Sequence, residues 1–329
     1  MKNWLKAAVC GLSLTIAVPL TMSIGAMAQE LRGWNIHVPD YPVSVGMDHF
    51  AKVVAEKTQN RIKPKVYHSA QLGNQDAAIQ QMQLGALDFA VFNFIPLNNI
   101  IPETLAATLP FVFRSVTHLH GVMDGPIGDD IGKAMLGKNM VAVAYYDSGS
   151  RSFYNARKPV RTPDDLKGMK IRVQSSDLYV ELMKAFGANA TPIPFGEVFT
   201  SLQSGVVDGA ENNWPSYENT RHYEVAKHYT LNEHTMAPEV FAVSKVTWDR
   251  MSAADQAVVK DAARESATLQ RKLWAQREID ARKKVEAGGA QIVEITDKAP
   301  WIAAAKPVID KFGADPKVKA LVERIMAAK

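Results

Sequence analysis

The sequence contains a single cysteine, Cys10, and it lies close to the N-terminus. Residues 29–329 therefore contain no thiol, which excludes disulfides and a thiolate nucleophile from that part of the chain. Long apolar runs are absent after residue 28, and so are low-complexity segments and linkers rich in glycine, serine or proline. Without such linkers, any two lobes must be closely connected.

Residues 1–28 have the pattern of a cleavable signal peptide. Lys2 and Lys6 give a positive start, the segment 7–28 carries no charge, and it ends in the small-x-small sequence "AMA". A transmembrane anchor is the alternative, because the uncharged stretch is long enough to span a bilayer. However, glycine, serine, threonine and proline residues dilute its apolar character, and no charge cluster follows at once. The pattern predicts cleavage after residue 28 and a secreted or periplasmic protein.

The charges are nearly balanced, with 38 basic against 34 acidic residues and a formal net charge of +4. This balance argues against a nucleic-acid or anionic-membrane partner. The sequence contains no G-x-S-x-G, H-E-x-x-H, G-x-G-x-x-G or Walker motif, and no acid–base pair stands out. We therefore predict no enzymatic activity, no cofactor and no metal site.

One internal repeat organises the sequence. "QLGALDFAVFN" at 83–93 and "QSGVVDGAENN" at 203–213 share the pattern Q-x-G-x-x-D-x-A-x-x-N. Each copy follows a helix-like stretch, its glycine stands where a helix C-cap favours a left-handed residue, and the next residues are typical of a buried strand. Chance similarity between two ordinary helix–glycine–strand units is the alternative. The repeat favours two lobes of similar construction.

The remaining pattern alternates strands with helices, which predicts an α/β fold. Ligands of open α/β sheets bind beyond the carboxyl ends of the strands. Two facing sheets would thus direct Asn93, Asn212 and Asn213 into one cleft. A sequence resembling a capping box at 252–255 begins a helical pattern that runs to about Glu286 without proline or glycine. That length is unusual for a globular helix and predicts a strut bracing both lobes, since a coiled coil would need a clean heptad.

Two arginines stand close to strand ends in the second half. Arg172 lies between hydrophobic residues in "KGMKIRVQ", and Arg151 follows a turn just after a buried strand. Asn212 ends another strand, and Phe195 and Trp214 are aromatic residues beside these points. For each arginine alone, a surface or structural ion pair is the ordinary interpretation. Both arginines converging on one cleft would favour an anion site, because a guanidinium grips a carboxylate through two parallel hydrogen bonds.

Five stretches together resemble the solute-binding subunits of tripartite ATP-independent periplasmic (TRAP) transporters, the DctP family. They are "KTQNRIKPKVYHSAQLGNQ", "LPFVFRS", "PDDLKGMKIRV", "PIPFGEVFTSLQSGVVDGAEN" and "NEHTMAPEVFAVS", in that order. The resemblance implies a two-lobed periplasmic binding protein fold with a hinge, which closes on a small organic acid and delivers it to a membrane permease. It implies lobes of 29–149 plus 238–277 and 150–237 plus 278–329, in a protein expected to be a monomer.

The resemblance also implies which residues bind the ligand. In this family the arginine of the G-x-K-x-R strand makes the principal salt bridge to the substrate carboxylate, and it corresponds to Arg172. A second family arginine corresponds to Arg151, the asparagine of D-G-x-E-N to Asn212, and the aromatic residue before x-E-V-[YF] to Phe195. The other implied site residues are Asn74, Gln75, Asn93 and His37. Sialic-acid-binding relatives have a glutamate at the position of Asn93, so that contact is altered here.

The segment "ENNWPSYENTRHYEVAK" resembles members that bind sugar acids such as hexuronates and aldonates. Trp214 and Tyr217 would offer flat apolar faces to sugar C–H groups, while Asn93, Asn212 and Asn213 would pair with hydroxyls. Packing of a hinge turn is the alternative role for Trp214. The alternative ligands are a C4-dicarboxylate, a 2-oxo acid or an aromatic acid. The alternative functions are a periplasmic sugar-acid enzyme and a sensor subunit.

Overall fold

The computed structural model describes residues 29–328, and the predicted signal peptide at 1–28 lies outside them. The strands are β1 (Gln29–Trp34), β2 (Ile62–Tyr67), β3 (Phe89–Asn93), β4 (Met140–Tyr146), β5 (Ser150–Asn155), β6 (Lys170–Val173), β7 (Asn189–Pro192), β8 (Gly209–Asn212), β9 (His228–Met236), β10 (Glu239–Ser244) and β11 (Gln291–Glu294).

The helices alternate with these strands. They are α1 (Pro42–Lys57), α2 (Gln75–Gln83), α3 (Phe94–Leu97), α4 (Val116–Met123), α5 (Pro126–Leu136), α6 (Asp177–Ala185), α7 (Val198–Gln203), α8 (Trp214–Asn219), α9 (His222–Val225), α10 (Lys245–Trp248), α11 (Ala253–Ala287), α12 (Ala299–Phe312) and α13 (Pro316–Ala327). Short 3-10 helices lie at Pro102–Ala107, Pro163–Leu166 and Phe195–Glu197.

Both copies of the repeated motif form a helix, a left-handed glycine and a strand, as predicted. Gly85 and Gly205 follow the ends of α2 and α7 with φ angles of +72° and +73°, a conformation that glycine adopts without a steric penalty. Asp88 and Asp208 each accept a backbone N–H from the neighbouring parallel strand, at 2.7 and 2.9 Å. The motif therefore fixes the same strand junction in each lobe.

The strands form two sheets, one at the centre of each lobe. The orders are β2-β1-β3-β10-β4 in the five-stranded sheet and β11-β9-β5-β8-β6-β7 in the six-stranded one. Both sheets follow one plan. The parallel strands β1, β2 and β3 of the first sheet correspond to β6, β7 and β8 of the second. An antiparallel strand then pairs with the third of these in each sheet, β10 with β3 and β5 with β8. Each antiparallel strand enters its sheet directly after the chain has crossed from the other lobe.

The 35-residue helix α11 spans both lobes and confirms the predicted strut. The Ser252 hydroxyl caps it, accepting the backbone N–H of Asp255 at 3.1 Å and donating to the Asp255 carboxylate at 2.8 Å. The first half packs Val259 and neighbouring alanines into the core of the first lobe. The last turns bury Ala281 and Val285 in the core of the second lobe.

The segment after α11 contacts both lobes as well. Trp301 of α12 packs against Phe153 and Phe186 of the second lobe, at ring-centroid distances of 5.7 and 5.3 Å. Helix α13 packs against the 3-10 helix Pro102–Ala107 and against α5 of the first lobe. Between β4 and β5 the chain passes through Gly149 at φ +60°, where a Cβ atom would collide with the Glu278 carboxylate of α11.

Candidate ligand-binding site

The two sheets enclose a cleft at the ends of their strands. A cavity of about 370 Å³, which includes its opening to solvent, lies between them. Residues at the ends of β3, β6 and β8 and at the start of β10 form its walls, as expected for facing α/β sheets. The lining residues are Ile36, His37, Gln75, Asn93, Ser148, Arg151, Arg172, Gln174, Phe195, Asn212, Asn213, Ser216 and Glu239.

Arg172 brings an uncompensated positive charge to this cavity. Its side chain is only 3% exposed, and its Nε atom donates to the backbone oxygen of Ile193 at 2.8 Å. Within residues 29–328, no carboxylate oxygen lies within 4.0 Å of its guanidinium nitrogens. Burial lowers the pKa of Arg172 to about 10, against the attraction of Glu211, so the group stays charged at neutral pH. A buried cation without a partner is costly, and an anionic ligand would supply the missing partner.

Arg151 lies beside Arg172 but already has an acidic partner. Its Nε and Nη2 atoms donate to the two carboxylate oxygens of Glu211 at 2.5 and 2.8 Å, and both side chains are buried. Burial alone would raise the pKa of Glu211, but the Arg151 charge holds it well below its usual range. His234 Nε2 lies 3.5 Å from the same carboxylate, which is too long for a strong hydrogen bond. The pair is therefore electrically neutral beneath the cavity wall.

Asn212 has its acceptor atom occupied and its donor group available. The side-chain oxygen accepts from Arg151 Nη1 at 3.0 Å and from the backbone N–H of Asn213 at 2.9 Å. A carbonyl oxygen has two lone pairs, so these bonds complete its capacity. The amide NH₂ of Asn212 is thus the part of this side chain that can serve a ligand, as a donor to an oxygen atom.

Two other asparagines on the wall cap helices. The side-chain oxygen of Asn93 accepts the N–H of Ile95 at 3.1 Å at the start of α3, and that of Asn213 accepts the N–H of Ser216 at 2.8 Å at the start of α8. Asn213 Nδ2 also donates to the backbone oxygen of Ser148 at 2.9 Å, which ties the second lobe to the first. The repeat thus places one capping asparagine on each side of the cleft.

Gln75 and Asn74, at the start of α2, differ in their position relative to the cavity. Gln75 is buried on the cavity wall, where its Nε2 atom donates to the backbone oxygen of Asn93 at 3.1 Å. Its side-chain oxygen remains available as an acceptor. Asn74 caps α2 by accepting the N–H of Ala77 at 2.9 Å and is exposed outside the cavity, beside a neighbouring pocket.

Aromatic rings cover one end of the cavity. The His37 ring stacks on Tyr41 at a centroid distance of 3.9 Å and meets the edge of Phe195 at 5.7 Å. Burial lowers the pKa of His37 to about 3, so the imidazole is neutral and adds no second positive charge. Phe195 is half-buried and gives the cavity an apolar face.

The structure places Trp214 and Tyr217 away from the cavity wall. Trp214 stacks on Tyr229 at 3.9 Å, with the Arg282 guanidinium 5.4 Å from its ring centre on α11. The Tyr217 hydroxyl donates to the backbone oxygen of Ala226 at 2.7 Å inside the same core. Because Asn213 caps α8, the helix starts at Trp214 and turns these rings into the interior.

Sequence reasoning missed several wall residues, of which Glu239 is chemically the most important. Glu239 is the first residue of β10 and only 6% exposed. Burial raises the pKa of its carboxyl to about 7. A lone acid at the start of the apolar stretch "EVFAVS" was the available signal, because such a position rarely holds a charge without a reason. Gln174, Ser148, Ser216 and Ile36 complete the set of wall residues missed by sequence reasoning.

Hydrogen bonds join the lobes across the cleft. The Tyr41 and Ser216 hydroxyls lie 3.0 Å apart, Ser175 donates to Asp76 at 2.9 Å, and Asn98 donates to Ser176 at 3.1 Å. The two lobes are therefore in contact on both sides of the cavity.

Among residues 29–328, no group of three or more His, Cys, Asp and Glu side chains is arranged to hold a metal ion, and no helix combines the length and apolarity of a membrane span.

The chain forms two α/β lobes, crosses between them from β4 to β5 and from β9 to β10, and encloses a polar cavity between them. These features define the class of two-lobed solute-binding proteins. The chain belongs to the bacterial extracellular solute-binding protein family 7, the DctP family of TRAP transporters, whose family model matches residues 35–315. Members of that family bind extracellular solutes, which is a role in transport.

Relatives and solved structures agree with this assignment. The chain is 44% identical over 324 residues to a solute-binding protein of Chromohalobacter salexigens, covering 98% of this chain and 95% of the relative. A TRAP periplasmic solute-binding protein from Sulfitobacter sp. NAS-14.1 with bound β-D-galacturonate is 48% identical, with a TM-score of 0.89 over 91% of this chain and 100% of that one. One from Chromohalobacter salexigens with bound D-glucuronate is 45% identical, with the same TM-score and coverage.

Proposed function

We propose that this protein captures a hexuronate in the periplasm and delivers it to a TRAP membrane permease. The observation that carries this proposal is the buried Arg172 guanidinium, which has no acidic partner within residues 29–328 and faces a polar cavity between the lobes. The solved relatives with bound D-galacturonate and D-glucuronate support a sugar acid as the ligand.

In this proposal Arg172 holds the ligand carboxylate. Its Nε atom is committed to Ile193, so the Nη atoms provide the charged contact. The amide NH₂ of Asn212 donates to a ligand oxygen, and Arg151 keeps that amide correctly oriented through its bond to the Asn212 oxygen. The Phe195 ring offers its face to sugar C–H groups, and Gln75 offers an acceptor to a hydroxyl.

Lobe closure completes the site. The ligand docks while the lobes are apart, and the bonds that join Tyr41 to Ser216 and Asn98 to Ser176 form as they close. Closure removes water, which strengthens the ion pair at Arg172. We propose that the permease recognises the closed monomer, that residues 1–28 direct its export before they are removed, and that the protein has no catalytic activity.

Calorimetric titration of residues 29–329 tests this function. We expect D-galacturonate or D-glucuronate to bind, while malate, succinate, pyruvate, benzoate and sialic acid bind weakly or not at all. Ligand at about 100 times its Kd should add roughly 2.7 kcal/mol to the free energy of unfolding, visible as a Tm shift of several degrees. Binding of a C4-dicarboxylate alone would contradict the hexuronate proposal, and slow consumption of a bound hexuronate would indicate an enzyme.

A further inference from the structure

The cavity contains a second buried charge that the proposed function does not use. Glu239 reaches the cavity from β10 of the first lobe, whereas Arg172 reaches it from β6 of the second. In the sheet Glu239 stands opposite Asn93 of β3 on one side and Tyr146 of β4 on the other. The closed cleft therefore brings a carboxyl group and a guanidinium group to one cavity from opposite lobes.

Glu239 has no ionic partner of its own in the part of the chain that the structure describes. No lysine, arginine or histidine nitrogen of residues 29–328 lies within 4.0 Å of its carboxylate, and Arg151, the cation that stabilises it, is paired to Glu211. The other groups around it are the Asn93 and Ser148 side chains, the carboxylate of Asp147 and the phenols of Tyr41 and Tyr146.

We propose that Glu239 selects the ligand at the end remote from the carboxylate that Arg172 holds. Glu239 accepts hydrogen bonds from sugar hydroxyls at that end and rejects acids that carry a second carboxylate there. This inference rests on the proposed function, in which Arg172 holds the single carboxylate of a hexuronate. A carboxylate only accepts hydrogen bonds, so it is complementary to hydroxyl groups, which donate. A second ligand carboxylate offers no donor and adds a like charge in a dry cleft, which is a repulsive device of the kind that produces specificity.

The titration of Glu239 gives this selection a measurable signature. In the closed cavity without ligand, burial raises the pKa of its carboxyl to about 7, so a large part of the closed protein is protonated there at neutral pH. Hydroxyl donors stabilise the charged form and lower that pKa when the sugar occupies the cavity. Relative to the closed empty form, binding therefore releases a proton near pH 7, and the affinity of this form for the hexuronate rises as the pH increases through this value. Tyr41 and Tyr146 have raised pKa values and His37 a strongly lowered one, so none of them titrates in this range.

Calorimetry with three ligands and two buffers tests the inference. The ligands are the hexuronate that binds, D-galacturonate or D-glucuronate, the matching aldaric acid, an open-chain diacid with a second carboxylate in place of the aldehyde carbon, and the matching aldonic acid, the open-chain monoacid that controls for loss of the sugar ring. Phosphate and Tris buffers at pH 7 differ in ionisation enthalpy and so report the released proton. We expect the preference of wild-type protein for the hexuronate over the aldaric acid to increase by up to about tenfold between pH 7 and pH 8, because only protonated Glu239 accepts a second carboxylate. We expect Glu239→Gln to remove this increase and to abolish proton release.

Glu278→Gln is the matched control. Glu278 on α11 is a half-buried acid whose pKa burial also raises to about 7, but it does not line the cavity. We expect Glu278→Gln to keep both the ligand ratio and the proton release. Loss of the proton in Glu278→Gln rather than in Glu239→Gln would overturn the inference.

The wild-type measurements keep the inference testable even if Glu239→Gln fails to fold. Wild-type protein that binds the hexuronate without releasing a proton, or that binds the aldaric acid equally well, leaves the proposed function standing and overturns the role of Glu239. Wild-type protein that binds no hexuronate overturns both.

Discussion

Arg151 and Glu211 form a bidentate ion pair that joins β5 to β8 beneath the cleft. The two hydrogen bonds measure 2.5 and 2.8 Å, and a third joins Arg151 Nη2 to the Glu211 backbone oxygen at 2.9 Å. The arginine that resembles a ligand-binding residue in the sequence is therefore also a structural residue. The contribution of Arg151 to the free energy of unfolding depends on Glu211, whereas Arg172 has no acidic partner among the described residues 29–328.

Replacing Glu211 by glutamine should destabilise the fold strongly. The change leaves the buried Arg151 charge unpaired, which typically costs about 3–5 kcal/mol. Chemical denaturation of the ligand-free protein measures this loss. Glu294→Gln, at an exposed carboxylate that pairs with Arg282 at 2.6 Å, is the control and should change the free energy of unfolding by less than about 1 kcal/mol. Equal effects of the two changes would contradict a structural role for the buried pair.

The same pair should make the protein sensitive to acid. The pKa of Glu211 is lowered in the folded protein, so the folded state holds its proton less readily than the unfolded chain. The stabilisation is complete above the ordinary glutamate pKa of 4.5 and is lost as the pH falls towards the lowered one. Urea unfolding between about pH 3 and pH 6 should thus show a steeper loss for wild-type protein than for Glu211→Gln. Parallel curves would show that other carboxylates dominate.

Changes at Arg172 should separate binding from stability. Arg172→Lys keeps the charge but loses the fork of donors, so hexuronate affinity should fall by about 2 kcal/mol or more, roughly 30-fold. Arg172→Met should abolish binding yet leave the ligand-free fold as stable or up to about 1 kcal/mol more stable, because an uncompensated buried charge is removed. Titration and denaturation measure the two effects.

Arg264→Lys is the control for the first of these changes. Arg264 is exposed on α11 outside the cavity, and its replacement should change neither property. A loss of stability in Arg172→Met as large as that in Glu211→Gln would show that Arg172 is structural.

Two aromatic residues that sequence reasoning treated alike should behave in opposite ways. Trp214 is 8% exposed in a core, so Trp214→Ala should lower the free energy of unfolding by about 3 kcal/mol and leave hexuronate Kd within about twofold. Phe195→Ala should lower affinity, with a much smaller effect on stability, because its ring is half-buried on the cavity wall. Equal loss of affinity in both variants would return Trp214 to the site.

Gly149 should tolerate no side chain. Gly149→Ala places a Cβ in the left-handed region and against the Glu278 carboxylate, so the fold should lose about 2 kcal/mol or more. Gly121→Ala is the matched change inside α4, where a Cβ meets nothing within 4 Å, and it should be neutral or slightly stabilising. Thermal unfolding of both variants compares them, and indistinguishable Tm values would contradict the constraint at this crossing.

The sequence predicted much of the fold because the relevant signals were local. The repeated glycines, the cap at Ser252 and the uninterrupted helical pattern of α11 each act within a few residues of chain. The lobe bounds that imply the crossing of β5 and β10 came from the family resemblance and not from a local pattern, because strand pairing between segments far apart in sequence leaves no such pattern.

The candidate site was predicted as a set of strand ends, and the structure brings eight predicted residues to the cavity wall. They are His37, Gln75, Asn93, Arg151, Arg172, Phe195, Asn212 and Asn213. Trp214, Tyr217 and Asn74 lie off that wall, since the direction of a side chain after a strand end depends on how the next helix begins. Pro215 behind a capping asparagine was the available signal that Trp214 opens a helix.

The exchange of strands between the lobes has a consequence for biosynthesis. The first sheet needs β10 between β3 and β4, so it is incomplete until residue 244 has left the ribosome. Its packing partner α11 follows later still, and that helix also closes the core of the second lobe. Neither half of the chain can complete a lobe alone while the rest is being synthesised. During translation, completion of either lobe therefore has to wait for segments that lie in the last third of the sequence.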